Sequence, residues 1–161
     1  MQDMLVKLYD LPDFSALKVR LEKENILIRR PLAAEKSITL AWVEKHFGSG
    51  WASEADVSFS YQPISCFVAI RGHQIVGFAC YDAAYRNFFG PTGVEPSLQG
   101  MGIGKVLLAE CLEAMKAQGY AYAIIGGVGP AAFYEKAVGA VLIPGSDPGI
   151  YKGILSEVPV E

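Results

Sequence analysis

Apolar positions recur along the chain with two different spacings, which predict strands alternating with helices. The clearest helix covers residues 102–118, because every third or fourth residue from Ile103 to Met115 is apolar while charged residues take the opposite face. Short apolar or β-branched runs predict strands. These strands are residues 4–9, 25–30, 64–71, 74–82, 87–94 and 120–125, followed by 141–143 and 150–155 as a closing hairpin.

Helical spacing is also present before and after this central helix. Residues 33–47 and 130–138 carry apolar residues on one side, and each segment starts at or just after a proline. Residues 12–25 fit both a strand alternation and a helical face, and the position of Pro12 favours the helix. Residues 48–62 follow a glycine-containing helix end and are predicted to form a loop.

The middle of the chain carries the signals of an antiparallel hairpin and an irregular strand. Gly72 lies in a short turn between residues 64–71 and 74–82, which predicts a hairpin. Pro91 lies inside the strand predicted for residues 87–94, and proline cannot donate to a sheet. We therefore expect a bulge or an unpaired edge there. The order of elements predicts an α+β fold with a mixed, mostly antiparallel sheet and helices on both faces.

Composition narrows the class of protein. The chain has 161 residues, 52% of them hydrophobic, and a net charge of −3. This size predicts a single domain, and the lack of a basic run argues against a nucleic-acid partner. No signal peptide or membrane span is visible, and the three cysteines lack metal spacing, so we expect a cytoplasmic protein with free thiols and no metal. The apolar surplus is compatible with a ligand tunnel or with a homodimer interface.

Three glycines surround the start of the central helix and predict an anion site. Gly100, Gly102 and Gly104 let the backbone turn sharply and expose N–H groups, and a helix N-terminus favours a phosphate or a diphosphate. The Rossmann pattern fails because Lys105 occupies its third glycine position. The P-loop pattern fails because it needs glycine where Gln99 stands.

What fits is Gln99-x-x-Gly102-x-Gly104 after Val94-x-Pro96, which resembles the acetyl-CoA loop of the GNAT superfamily of N-acetyltransferases. The resemblance covers residues 25–155 and implies a GNAT-like fold in one domain, 1–161, that uses acetyl-CoA as co-substrate. Residues 1–24 would be an N-terminal extension that covers a sheet edge or joins a dimer contact. The implied cofactor-binding residues are Gly93, Val94, Gln99, Gly100, Met101, Gly102, Ile103, Gly104 and Lys105, although Lys105 is also compatible with a solvated surface position.

A second segment, Phe133-Tyr134-Glu135-Lys136, resembles the family's tyrosine segment. The resemblance implies that Tyr134 is the general acid that protonates the leaving thiolate, since a phenol and a thiol have comparable reference pKa values. The alternative is a packed tyrosine whose hydroxyl is satisfied by backbone. The chain departs from the pattern in having Gly127 where the family commonly has asparagine, and one extra residue with alanine in place of an aromatic at 137–140.

The resemblance implies transfer of an acetyl group to an amine of a small molecule or peptide. Direct transfer in a ternary complex is expected, because the chain has no Gly-x-Ser-x-Gly elbow and its cysteines have no neighbouring base. A non-catalytic acyl-CoA-binding or sensing module is the alternative, with a structural subunit as a weaker one. The acceptor and the general base stay open. The candidate bases are Glu54, Asp56, Asp82 and Glu95. The aromatics Trp51, Phe59 and Tyr61 would line the acceptor pocket or, as we favour, pack against the core.

Overall fold

A mixed sheet organises residues 1–156, the part of the chain that this computed structural model describes. Its seven strands lie in the order β2-β3-β4-β5-β6-β1-β7, and only the β5–β6 pair is parallel. The elements are β1 Met4–Lys7, α1 Ser15–Lys23, β2 Ile26–Arg29, α2 Lys36–Phe47, α3 Ser49–Ser58, β3 Cys66–Arg71, β4 Gln74–Tyr81, β5 Phe88–Val94, α4 Ile103–Ala117, β6 Tyr122–Ile125, α5 Ala131–Val138 and β7 Val141–Leu142.

Helices cover both faces of the sheet, as the order of elements predicts. Neighbouring residues of β4 point to opposite faces, so Phe78 packs into one apolar cluster and Ala79 into the other. Helices α1, α4 and α5 contribute to the cluster around Ala79, and α2 and α3 contribute to the cluster around Phe78. The α+β prediction is therefore confirmed.

Helix α4 is the central element of the larger cluster. The apolar face predicted from Ile103 to Met115 is at most 1% exposed, which confirms the spacing argument. Helix α1 likewise forms where the sequence fits two patterns, and its Leu21 is buried in the same cluster.

The prediction of a loop over residues 48–62 is wrong, because α3 occupies most of that segment. Gly48 has φ +97° and its N–H caps α2 on the carbonyl of Glu44 at 2.9 Å. A left-handed glycine reverses the chain in one residue, so a second helix begins at once with no loop between them. Alanines such as Ala52 and Ala55 favour the helix, and Ala55 is fully buried.

The predicted closing hairpin is also wrong. Strand β7 pairs with β1, at Met4↔Leu142, while residues 149–151 form a 3-10 helix and 150–155 contain no strand. Gly149 and Gly153 adopt φ +58° and +74°, which interrupts the extended conformation. Strand β1 thus lies between β6 and β7 and is paired on both sides.

Two features of the sequence have simple structural outcomes. The three cysteines, Cys66, Cys80 and Cys111, are buried free thiols. None of the helices in residues 1–156 is long and apolar enough to cross a lipid bilayer.

Candidate active site

Strands β5 and β6 separate soon after they meet. They pair only at Phe88↔Ile124 and Phe89↔Ile125, whereas the other side of β5 pairs with β4 as far as Val94. A register shift in that second pairing, between Ala79 and Tyr81, accommodates the irregular β5 segment that contains a proline. Within the described chain, residues 90–94 therefore have one backbone edge without a neighbouring strand.

The glycine loop after β5 presents unpaired backbone donors at this opening. Gly100 and Gly102 have φ +89° and +96°, and α4 begins at the next residue. As far as residues 1–156 show, the N–H groups of residues 100–105 have no protein acceptor, and the first helical bond runs from Val106 to the carbonyl of Gly102 at 3.1 Å. Unpaired N–H donors next to the positive end of a helix are suited to an anion.

A cleft of about 610 Å³ extends from this loop between β5 and α5. It brings together eight of the nine predicted cofactor-binding residues and Tyr134. Met101 is the exception, since it is not part of the lining and its carbonyl faces α1. The predicted residues in the lining are Gly93, Val94, Gln99, Gly100, Gly102, Ile103, Gly104, Lys105 and Tyr134.

Tyr134 projects from α5 into the cleft and is held by two aromatic rings. Its ring makes edge contacts with Phe133 and Phe89, at centroid distances of 5.0 and 6.3 Å. Burial raises the pKa of Tyr134 to about 12. No hydrogen-bond partner for its hydroxyl is found among residues 1–156, so the donor is available to a ligand.

The glycines of the loop meet different surroundings. A Cβ on Gly104 would have only a Val94 methyl within 4 Å, at 3.8 Å, and that position faces the cleft. A Cβ on Gly102 would lie 2.8 Å from Leu17 of α1. Gly102 thus allows α1 to pack against the loop, whereas Gly104 keeps the cleft open.

None of the four candidate bases lines this cleft. Glu54 accepts a hydrogen bond from the Tyr151 hydroxyl at 2.7 Å, and Asp56 forms an ion pair with Lys36. Asp82 accepts the N–H of Asn87 at 2.7 Å. Glu95 follows the end of β5 and is half-buried. The geometry therefore does not single out a base.

Two of the three aromatics considered for the acceptor pocket, Trp51 and Phe59, pack against other apolar side chains. The ring of Trp51 stacks on Phe47 at a centroid distance of 5.2 Å, and Phe59 packs against the cluster around Phe78. Tyr61 is exposed. Phe47 lies directly over Gly93, whose missing side chain leaves room for the ring.

Some lining residues were missed by sequence reasoning. Lys136, two residues after Tyr134, is part of the cleft lining, and so are Gly129 and Pro130. A basic residue beside the tyrosine segment could have indicated an anion site. At Gly127, where the family commonly has asparagine, the backbone N–H instead binds the Asp3 carboxylate at 2.8 Å.

Comparison with known families agrees with this geometry. The chain belongs to the acetyltransferase (GNAT) family, whose model matches residues 34–140. The co-substrate of this family is acetyl-CoA, as the sequence resemblance implies. No curated protein matches the chain.

Solved structures show the same fold at low sequence identity. A GCN5-related glucosamine N-acetyltransferase region of a fungal multi-domain GH3 β-N-acetylglucosaminidase has a TM-score of 0.71 and 16% identity, over 88% of this chain and 19% of that one. A GCN5-related N-acetyltransferase from Sphaerobacter thermophilus has a TM-score of 0.69 and 20% identity, over 88% and 48% of the two chains. The present chain thus spans about a fifth and about half of these proteins.

A third structure is a GNAT family acetyltransferase from Brucella melitensis in complex with acetyl-CoA. It has 23% identity over 68% of this chain and 80% of that one, with a TM-score of 0.46.

Proposed function

We propose that this protein is an N-acetyltransferase that moves the acetyl group of acetyl-CoA to an amine of a small molecule or peptide. One observation carries the proposal: a single cleft is lined by Tyr134, whose hydroxyl is free, and by Gly100 and residues 102–105, whose N–H groups are unpaired. The N–H groups would bind a diphosphate, and the hydroxyl would donate a hydrogen bond to a departing thiolate.

Binding would use backbone more than side chains. The amides of residues 100–105 and the dipole of α4 would hold the diphosphate, with Lys105 and Lys136 adding positive charge. The pantetheine arm is an extended chain with amide groups. It would bind along the unpaired edge of residues 90–94 in the manner of an added strand.

In the transfer step, the amine nitrogen forms a bond to the thioester carbon and the C–S bond breaks. The amine loses a proton to a base or to water, and the sulfur leaves with the electron pair of the broken bond. A phenol with a pKa near 12 is a weaker acid than a thiol, whose reference pKa is about 8.5. Tyr134 would therefore chiefly stabilise the developing thiolate by donating a hydrogen bond.

A covalent acetyl-enzyme is disfavoured by the placement of the cysteines. None of the three lines the cleft, and each is fully buried. Burial raises the pKa of Cys111, and the hydrogen bond with Cys80 together with burial raises the pKa of Cys66. A thiol that stays protonated is a poor nucleophile, so direct transfer is the better account.

One observation favours the alternative of an acyl-CoA-binding or sensing module. Among the described residues, no carboxylate lines the cleft, so a base for the acceptor amine is not in place. In an enzyme, a chain of water molecules to a distant carboxylate would remove the proton of the amine. A sensor would not require a base.

Turnover distinguishes the two functions. The full chain is incubated with acetyl-CoA and a panel of amines, and thiol release is measured against a reaction without acceptor. The panel contains glucosamine, polyamines, amino acids, aminoglycosides and N-terminal peptides; glucosamine is included because of the fungal relative. We expect acceptor-dependent thiol release with at least one class. Coenzyme A binding with no turnover across the panel would instead support the sensor.

A further inference from the structure

Helix α1 contacts the outer side of the glycine loop through Arg20. The Arg20 guanidinium donates a hydrogen bond to the carbonyl oxygen of Met101. The same group lies 3.2 Å from the place where a Cβ of Gly102 would be, and Leu17, one turn earlier, lies 2.8 Å from it. Arg20 precedes residues 34–140, so the family pattern assigns it no role.

This contact fixes the direction of a peptide group. The carbonyl of Met101 and the N–H of Gly102 belong to one trans peptide, and in a trans peptide the two point in opposite directions. Because Arg20 holds the oxygen toward α1, the N–H of Gly102 is turned away from α1. Gly102 lines the cleft, and its N–H is one of the donors without an acceptor.

The loop needs such a restraint because it is rich in glycine. Gly100 and Gly102 have positive φ angles and no Cβ, so alternative orientations of the peptide between Met101 and Gly102 cost little. In the flipped orientation, the negative end of the Met101 carbonyl would face the cleft. It would then repel a diphosphate instead of binding it.

We propose that Arg20 is a positioning residue that holds the Met101–Gly102 peptide in its anion-binding orientation. Helix α1 is on this account a working part of the diphosphate site, although it lies outside the matched family region. The inference rests on the proposed function, since it assumes that coenzyme A is the ligand of the loop.

Calorimetry with coenzyme A on full-length variants tests the role of Arg20. Arg20→Met keeps an unbranched aliphatic side chain and removes every side-chain donor. Arg20→Lys keeps the charge and a donor. The matched control is Lys18→Met, because Lys18 ties the same helix to α4 through Glu110 at 2.7 Å and does not contact the loop. Arg20 is exposed, so these variants should fold, and melting temperatures verify this.

We expect Arg20→Met to weaken coenzyme A binding about five- to tenfold, the effect of losing one ordinary hydrogen bond, because Arg20 is exposed to solvent. Arg20→Lys and Lys18→Met should stay within about twofold of the parent protein. Pantetheine, which has no diphosphate, should bind Arg20→Met and the parent protein equally. This last result separates positioning of the anion site from a general loss of packing.

Two results would overturn the inference. One is unchanged coenzyme A affinity in Arg20→Met. The other is an equal loss in Lys18→Met, which would reduce the role of Arg20 to docking of α1. If the parent protein itself fails to bind coenzyme A, the proposed function fails before the role of Arg20 is reached.

Discussion

Gly102 and Gly104 are two residues apart and have different structural roles. Gly102 has φ +96° and would collide with Leu17 if it carried a side chain, so it serves the packing of α1. Gly104 has an ordinary helical conformation and faces the cleft, so it serves ligand access. The spacing of the glycines predicts a turn that binds an anion, but it does not reveal which glycine faces the ligand, because that depends on the distant helix α1.

Tyr134 provides the sharpest prediction for a single side chain. Tyr134→Phe keeps the contacts with Phe89 and Phe133 and removes only the hydroxyl. We expect kcat to fall about a hundredfold, as for other single donors to a developing anion, with coenzyme A affinity unchanged. Steady-state kinetics with the acceptor found in the panel, and calorimetry with coenzyme A, measure the two effects.

The pH profile adds a check on the same residue. Burial raises the pKa of Tyr134 to about 12, so the phenol stays protonated through the neutral and mildly alkaline range. Any fall in rate that the parent protein shows below about pH 11 should therefore also be present in Tyr134→Phe, because it does not come from ionisation of the tyrosine. A fully active Tyr134→Phe, or an alkaline limb near pH 9 that disappears in this variant, would remove Tyr134 from the mechanism as described.

Among the elements, those with local signals were predicted well. Helix α4 has a complete apolar face, and the β3–β4 hairpin has Gly72 in its turn, so each could be located without knowledge of its partners. Helix α3 was missed because Gly48 signals a helix end and carries no information on whether a loop follows. Residues 150–155 look like a strand, but two glycines with positive φ and a short 3-10 helix interrupt them.

The contact between α2 and β5 yields a prediction at this scale. A Cβ on Gly93 would lie 2.3 Å from the ring of Phe47, so Gly93→Ala forces the ring to move. We expect the free energy of unfolding to fall by about 1–3 kcal/mol, as for other overpacked sites. Denaturant unfolding measures this change.

Two controls accompany the Gly93 variant. Gly50→Ala adds the same methyl group to α3, where nothing lies within 4 Å, and should be neutral or slightly stabilising. In a Phe47→Ala background, Gly93→Ala should cost clearly less than in the parent protein, because the colliding ring is gone. An equal cost in both backgrounds would show that the contact does not constrain β5.

Across the whole molecule, residues 1–24 do more than cover an edge of the sheet. Strand β1 lies between β6 and β7, and the carboxylate of Asp3 holds the loop that follows β6 through Gly127. Helix α1 contacts the outer side of the glycine loop through Arg20. The sequence predicts a strand and a helix here, but it does not predict their contacts with the cleft. The partner of Arg20 at the cleft, Met101, is 81 residues away, and no local pattern encodes such a contact.

The general base and the acceptor lie beyond sequence reasoning for a related reason. The four candidate carboxylates were chosen by their position along the chain, and the fold places all of them outside the cleft lining. The glycine loop was predictable because one short stretch of sequence builds it. An acceptor site assembled from several elements has no such signature, and the single domain over 1–161 and the homodimer stay predictions.

If the amides of the glycine loop bind the diphosphate of coenzyme A, a carboxylate at position 104 should abolish that binding. Gly104→Glu places a carboxylate in the cleft, yet an acidic residue in the first turn of a helix favours folding. Gly104→Ala is the matched control, because its methyl group would only touch Val94 at an ordinary distance of 3.8 Å.

Isothermal calorimetry with coenzyme A on the parent protein and both variants is the deciding measurement. We expect binding to the parent protein, affinity within about threefold for Gly104→Ala, and a loss of at least about a hundredfold for Gly104→Glu through charge repulsion and steric overlap. Unchanged affinity of a folded Gly104→Glu would contradict diphosphate binding at this loop.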